Sequence, residues 1–320
     1  MNFYTNVIQR GNSLLVRGVE DGQRVSKRVN YEPTLFNKVT EDTGYKTLDG
    51  QHVLPKHFHS IKEAKAWVEQ RENQDIVFGN TQYPYCYISD EYPNDVPWDK
   101  DQILIVTIDI EVECENGFPN PQDAAEPLLS ITMKNHQNKK IVVWGLHEFQ
   151  NNRDDVDYRL CRDEGDLLIK FLDEWRMIYP DIITGWNTEF FDIPYICNRI
   201  NNLFGEEFMH KLSPWNNVFA REVYQMGRKH QVYTIQGVSA LDFYDLYRKF
   251  TYTNQERYTL DHIAFVELGE RKDGNPFETF KEWYQKDYQS FICERPSSGY
   301  AQVGYVIWLE LAISTPYHAV

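Results

Sequence analysis

Hydrophobic and polar positions alternate from the start of the chain. Residues 4–10 and 13–19 flank Gly11-Asn12, and Asp21-Gly22 leads into the alternating run Arg24-Val25-Ser26-Lys27-Arg28-Val29. Period-two runs joined by two turn formers predict hairpins, so a β-rich beginning is expected. The period then changes. Ile61, Ala64, Trp67 and Val68 share one helical face, Ser60 stands as N-cap, and Glu63 follows three residues later. This predicts one helix over residues 61–70, packed on the strands. Tyr92-Pro93-Asn94-Asp95-Val96-Pro97-Trp98 carries two prolines among turn formers, which predicts a domain boundary near residue 100.

A new core begins there. Residues 103–112 are β-branched and apolar, as a buried central strand requires. Residues 128–133 and 140–144 predict two further strands around the turn Asn135-His136-Gln137-Asn138, giving three antiparallel strands. After a polar loop over 151–157, Leu167, Leu168, Phe171, Leu172 and Trp175 recur at helical spacing, and Pro180 ends the run. A short buried strand over 181–186 and a helix over 193–203 complete the pattern. Strands followed by alternating helix and strand predict a mixed α/β sheet.

Composition refines this picture in four places. The 320 residues suffice for two ordinary domains. The apolar runs 103–110 and 303–313 are too short or too interrupted to span a bilayer, and the N-terminus lacks a signal-peptide pattern, so a cytoplasmic protein is expected. Five scattered cysteines without a Cys-x-x-Cys pair predict reduced, buried thiols, and His52, His57 and His59 lack the companions of a zinc site. The net charge of −15 argues against a nucleic-acid binder, yet the acidity is local: residues 101–200 carry 9 Lys+Arg against 19 Asp+Glu. Such a bias is either a solvated acidic surface or a set of carboxylates converging on divalent metal.

Two acids stand out in that segment. Asp109 and Glu111 lie two apart in an apolar strand, so both side chains face the same way. Buried carboxylates are costly unless paired or metal-bound, and on this pair alone both explanations stand. The second signal is Gly185-Trp186-Asn187-Thr188-Glu189-Phe190-Phe191-Asp192-Ile193-Pro194-Tyr195. Asp192 stands at the entrance to a helix with Pro194 in its first turn, where an acid serves as an N-cap or faces a site.

Ile108-Asp109-Ile110-Glu111 resembles the first exonuclease motif of family B DNA polymerases, and residues 187–192 resemble the second, about eighty residues later. Tyr31-Glu32-Pro33-Thr34-Leu35-Phe36, Tyr87-Ile88-Ser89-Asp90 and residues 237–247 are similar to the T-even-type bacteriophage members, and the likeness runs over residues 1–292. The resemblance implies a β-rich α+β N-terminal domain over 1–102 and a ribonuclease-H-like 3′-5′ exonuclease domain of the DEDD type over 103–292. It implies two divalent ions, Mg²⁺ or Mn²⁺, with oxygen ligands, one activating the attacking water and one stabilising the leaving oxygen. By resemblance Asp109 bridges the ions, Glu111 holds the nucleophile-side ion and Asp192 the other, while Asn187 and Phe191 lie at the 3′-terminal nucleotide. The implied partners are single-stranded or primer-template DNA and the remainder of the polymerase, or a separate polymerase chain, because palm, fingers and thumb need several hundred more residues.

The family's fourth carboxylate sits in a Tyr-x-x-x-Asp motif. Residues 284–292 resemble the approach to it, but Cys293-Glu294-Arg295-Pro296-Ser297-Ser298-Gly299 stands where Tyr and Asp are expected, with Pro and Gly that break a helix. The residue four after Tyr284 is Tyr288, not an acid. Residues 293–320 therefore read as a divergent tail, truncated or frame-disturbed. Two functions remain: a proofreading nuclease on single-stranded 3′ ends, and a catalytically inactive nucleic-acid-binding module. Residues 223–235 predict a hairpin whose tip, Gly227-Arg228-Lys229-His230, is a solvated turn or, by resemblance, a phosphate contact through Arg228 and Lys229. The aromatic run 243–252 is expected in the core, with base stacking as the alternative, and Asp242 and Asp245 are assigned to no metal.

Overall fold

The computed structural model describes residues 2–70, 77–114, 117–225, 227–269, 271 and 275–292. The chain divides into two compact units, Met1–Gln102 and Ile103–Val320.

In the first unit, β1 (Phe3–Arg10), β2 (Ser13–Glu20) and β3 (Gln23–Val29) form an antiparallel meander. Gly18 permits a close approach in it, since a Cβ there would meet the Phe3 carbonyl oxygen at 2.3 Å. A second sheet places β4 (Thr34–Lys38) between β5 (Val53–His57) and β6 (Val77–Phe78). Helix α1 (Ile61–Glu69) begins as its sequence predicts: Ser60 Oγ accepts the Glu63 N–H at 3.2 Å, and Glu63 Oε2 accepts the His59 N–H at 3.0 Å. A second helix, α2 (Tyr83–Glu91), was not expected. Its nine residues mix aromatics with Ser and Asp and carry little helical period, so tertiary contacts decide it: Tyr83 and Tyr87 bury beside Leu14, Leu35 and Ile61.

The second unit is built on a six-stranded mixed sheet. Its strands are β7 (Ile105–Val112), β8 (Leu128–Asn135), β9 (Ile141–Gly145), β10 (Val156–Leu160), β11 (Ile182–Gly185) and, after the separate hairpin of β12 (Val218–Gln225) and β13 (Arg228–Ile235), β14 (Ser239–Asp242). The order is β10-β9-β8-β7-β11-β14. β7, β8 and β9 are antiparallel as expected; β10, β11 and β14 join in parallel. β10 occupies part of the region read as a polar loop. Only Val156 of its five residues is buried, so an edge strand left no apolar run in the sequence.

Helices α3 (Glu164–Ile178) and α4 (Asp192–Phe204), followed by the short α5 (Glu206–His210), belong to one face. There Ile108, Ile110, Ile131 and Met133 pack with Phe171, Trp175 and Ile196. The opposite face carries Ile141, Val143 and Val156 against Trp283, Tyr288 and Phe291 of α8 (Phe280–Lys286) and α9 (Tyr288–Ile292). The remaining helices are α6 (Phe243–Phe250) and α7 (Leu260–Leu268).

Helix α6 corrects the expectation of an aromatic core, because none of its residues is buried. Tyr244 and Tyr247 instead pack half-exposed around Trp186 at centroid distances of 5.8 and 6.0 Å, and Arg248 lies over Tyr244 and Tyr258 at 5.4 and 5.3 Å. The thiols differ from expectation as well: Cys161 and Cys197 are buried, but Cys86 and Cys114 are half-buried, and all four are free. Cys293 lies outside the described residues. No helix among the described residues is long and apolar enough to cross a membrane.

Candidate functional site

Strand β7 sorts its residues by period. Ile108, Ile110 and Val112 enter the core, while Asp109 and Glu111 are half-exposed on the other face. Thr132 stands opposite Asp109 and Ser130 opposite Glu111 on β8, both fully buried. Cross-strand partners share a face, so these hydroxyl residues line the bed on which the acids stand. The Ser130 hydroxyl has no hydrogen-bond partner among the described residues. The pairing shifts between Glu111 and Val112, a bulge that ends the regular ladder at the acid pair.

Asp192 reaches the same strand from the other side. β11 pairs with β7 only as far as Thr107 opposite Thr184, so no ladder partner remains there for the Ile110 amide. Asp192 Oδ1 accepts that N–H at 3.1 Å, which sets its carboxylate beside the strand between positions 109 and 111. Asp192 is therefore not the N-cap. It is the first residue of α4, and the cap, Phe191, offers no side-chain bond. The start of the helix is held by backbone bonds, from the Ile193 N–H to Thr188 O at 3.0 Å and from the Tyr195 N–H to Phe191 O at 2.9 Å. The carboxylate is thereby left to face β7.

At 4% exposure, Asp192 is a buried acid. Burial pushes its pKa well above the carboxylate range, the negative charges of Asp242 and Glu111 push it further, and the N–H groups of Asp192 and Ile110 pull it back. Like charges gathered in a buried place resist ionisation unless a cation joins them, and an all-carboxylate donor set suits a hard divalent ion. The donor chemistry fits such an ion. Among the described residues, however, no group of three or more His, Cys, Asp or Glu side chains stands ready to hold a metal ion.

The loop between β11 and α4 carries two more predicted site residues. Asn187 adopts a left-handed backbone (φ 62°), and its N–H donates to Asp242 Oδ1 at 2.8 Å. Phe191 packs half-buried against Phe118 at 5.0 Å, and Phe118 itself is 83% exposed. The hairpin reaches this loop through Arg221 Nη2, which donates to Glu189 Oε1 at 2.6 Å, and through His230, edge-on to Phe190 at 5.2 Å. Lys229 pairs with Glu222 at 2.6 Å in the open. The Arg228 side chain lies outside what the structure describes. Asp109, Glu111, Asp192, Asn187 and Phe191 are thus gathered around one strand and the loop beside it, while Lys229 stays on the hairpin.

Sequence reasoning passed over Ser130, Glu189 and Arg221, and named Asp242 only to assign it to no metal. Only Asp242 carried a signal, an acid between a strand and a helix, which is an N-cap position.

Residues 61–263 match the model of "DNA polymerase family B, exonuclease domain". The chain belongs to that family. It is 31% identical over 320 residues to the DNA-directed DNA polymerase of Escherichia phage RB69, covering 90% of this chain and 35% of that protein. With the DNA-directed DNA polymerase of Enterobacteria phage T4 the identity is 29% over 347 residues, covering 99% of this chain and 38% of the relative. The DNA polymerase delta catalytic subunit of Candida albicans is 27% identical over 183 residues, covering 53% of this chain and 17% of the relative. The chain spans little more than a third of the length of the two phage polymerases. Exonuclease domains of this family are ribonuclease-H-like and divalent-metal dependent, and the mixed α/β sheet described above accords with that class.

Proposed function

We propose that this chain carries a 3′-5′ proofreading exonuclease of the DEDD type, which removes nucleotides from single-stranded DNA 3′ ends with two divalent ions, Mg²⁺ or Mn²⁺. The observation that carries the reading is the bond from the Ile110 N–H to Asp192 Oδ1, because it draws a third acid, itself buried, to the strand that presents the half-exposed Asp109 and Glu111. These three residues would hold the ions. When bound, the ions supply a nucleophile at neutral pH and charge to stabilise the transition state.

The chain's own residues do the rest. Asp109 and Glu111 present oxygens from one strand face, so their separation is fixed by the pleat and not by flexible stems. Asp192 is rigid because a helix start and a strand amide hold it from two sides. Asn187 and Phe191 flank the 3′-terminal nucleotide, with Phe191 and the exposed Phe118 offering ring faces to a base. Arg228 and Lys229 add salt-dependent contacts to phosphates. In the reaction the water oxygen bonds to phosphorus as the P–O3′ bond breaks; the proton of the water leaves to solvent or to Glu111, and the departing O3′ takes up a proton from solvent to become a 3′-hydroxyl.

A second reading rests on one specific observation, that the Tyr-x-x-x-Asp motif is missing where the family places it. The stretch in question, residues 293–300, lies outside the described residues. Without a fourth acid the domain is a nucleic-acid-binding module, or a nuclease slowed by orders of magnitude, since one lost charge contact costs several kcal/mol of transition-state stabilisation. A 5′-labelled single strand incubated with Mg²⁺ decides between them. Metal-dependent shortening from the 3′ end, absent in Asp109→Ala, supports the nuclease; identical product ladders from the two proteins refute it.

A further inference from the structure

Asp242 is the last residue of β14, opposite Gly185 in the parallel pairing with β11. It is buried at 6% exposure, and its two oxygens accept three backbone N–H groups. Oδ1 takes those of Asn187 at 2.8 Å and Tyr244 at 2.9 Å; Oδ2 takes that of Glu189 at 2.9 Å. Only the Tyr244 bond is a helix cap. The other two tie β14 to a loop more than fifty residues earlier in the chain.

That loop is neither strand nor helix, and its own backbone bonds are those of a turn, from the Phe190 and Phe191 N–H groups to Asn187 O at 3.2 and 3.1 Å. Asn187 turns the chain there through the left-handed region, which Asn adopts more readily than most non-glycine residues. Gly185 admits the tight packing at its base, since a Cβ there would meet Thr188 Cγ2 at 2.2 Å and the Ile108 carbonyl oxygen at 2.8 Å. The loop delivers Asn187, Phe191 and Asp192 in succession. A buried carboxylate that accepts several amides is a strong clamp, because charge-assisted bonds are about twice as strong as neutral ones. We infer that Asp242 is a positioning residue: it fixes the loop 187–191 so that Asn187 and Asp192 meet the Asp109–Glu111 strand in working geometry.

The inference rests on the exonuclease reading for its consequence in catalysis, and the test separates the two. In the full chain, Asp242→Ala, Asp242→Asn and Asp163→Ala are compared with the unaltered protein. Asp163→Ala removes an ordinary helix cap, from α3, where Asp163 Oδ1 accepts the Asp166 N–H at 2.8 Å. The readouts are amide hydrogen exchange at Asn187 and Glu189, and kcat and KM for Mg²⁺-dependent shortening of a single strand.

Asp242→Ala is expected to speed exchange at both amides and lower kcat by about 10- to 100-fold, the scale of an ångström-sized misplacement. KM should move much less. Asp242→Asn keeps an Oδ1 acceptor for Asn187 and Tyr244 and should recover part of the kcat, leaving only Glu189 exchange fast. Asp163→Ala should leave kcat and both amides unchanged. The inference is overturned if Asp242→Ala leaves Asn187 and Glu189 protected, or if its kcat matches that of Asp163→Ala. If the unaltered chain shortens no DNA, the exonuclease reading fails, and the exchange of those two amides decides the role of Asp242 alone.

Discussion

At the scale of single residues, a buried acid is set against its own comfort. Asp192 is poorly placed to ionise in a metal-free protein, because burial and the neighbouring charges of Glu111 and Asp242 oppose it. Asp192→Asn keeps an oxygen for the Ile110 N–H and removes the charge. It should stabilise the metal-free protein at neutral pH by ~1–3 kcal/mol in a denaturant melt while abolishing any shortening of DNA. A loss of stability instead would mean that the carboxylate has a compensating partner in the metal-free state. Asp109 and Glu111 were legible because strand period alone puts them on one face, and Asp192 because its motif has a recognisable form. Asp242 was legible only as a helix cap for Tyr244, since its other two partners are amides distant in sequence, and an amide leaves no mark in a residue pattern.

At the scale of elements, helix α3 was legible because its apolar stripe is wide and Pro180 stops it, while its cap was found only in the structure. Asp163 caps it, and Asp166 accepts the Arg162 N–H at 3.0 Å and pairs with Lys170 at 2.9 Å. The Arg162 amide and the Lys170 ammonium hold the Asp166 carboxyl low, at about 2. A depressed folded-state pKa means that this stabilisation is complete above the ordinary Asp range, near 3.9, and is lost as pH falls through about 2. Asp166→Asn should therefore lower the melting temperature at pH 7, and the two proteins should converge as the pH approaches 2; a constant difference at every pH would assign the effect to something other than charge. In the core of the same helix, Phe171 is 1% exposed and edge-on to Trp144 at 5.5 Å, so Phe171→Ala should cost ~3–5 kcal/mol in a denaturant melt. Elements without such a stripe escaped the sequence: α2 is too short and mixed, and β10 is a polar edge.

At the scale of the whole molecule, the order of strands and helices gave the mixed α/β class, while the parallel edges of the sheet emerged only from the topology. The net charge of −15, concentrated in residues 101–200, has a consequence for DNA. An acidic surface repels phosphates, and the basic tip at Lys229 is small, so affinity for a single strand should fall only shallowly with salt, with a log–log slope of about −1 to −2. A slope several times steeper, measured by fluorescence anisotropy, would require a basic track beyond the hairpin tip and would contradict this expectation.

The central claim is that Asp109, Glu111 and Asp192 act together as one divalent-cation site. The most direct measurement is a Mn²⁺ titration followed by electron paramagnetic resonance, free of DNA and of any turnover. The unaltered chain is predicted to bind Mn²⁺, and Asp109→Ala and Asp192→Asn each to weaken that binding by at least about 10-fold, the effect of losing one charged ligand. Equal Mn²⁺ affinity in all three proteins would contradict the account.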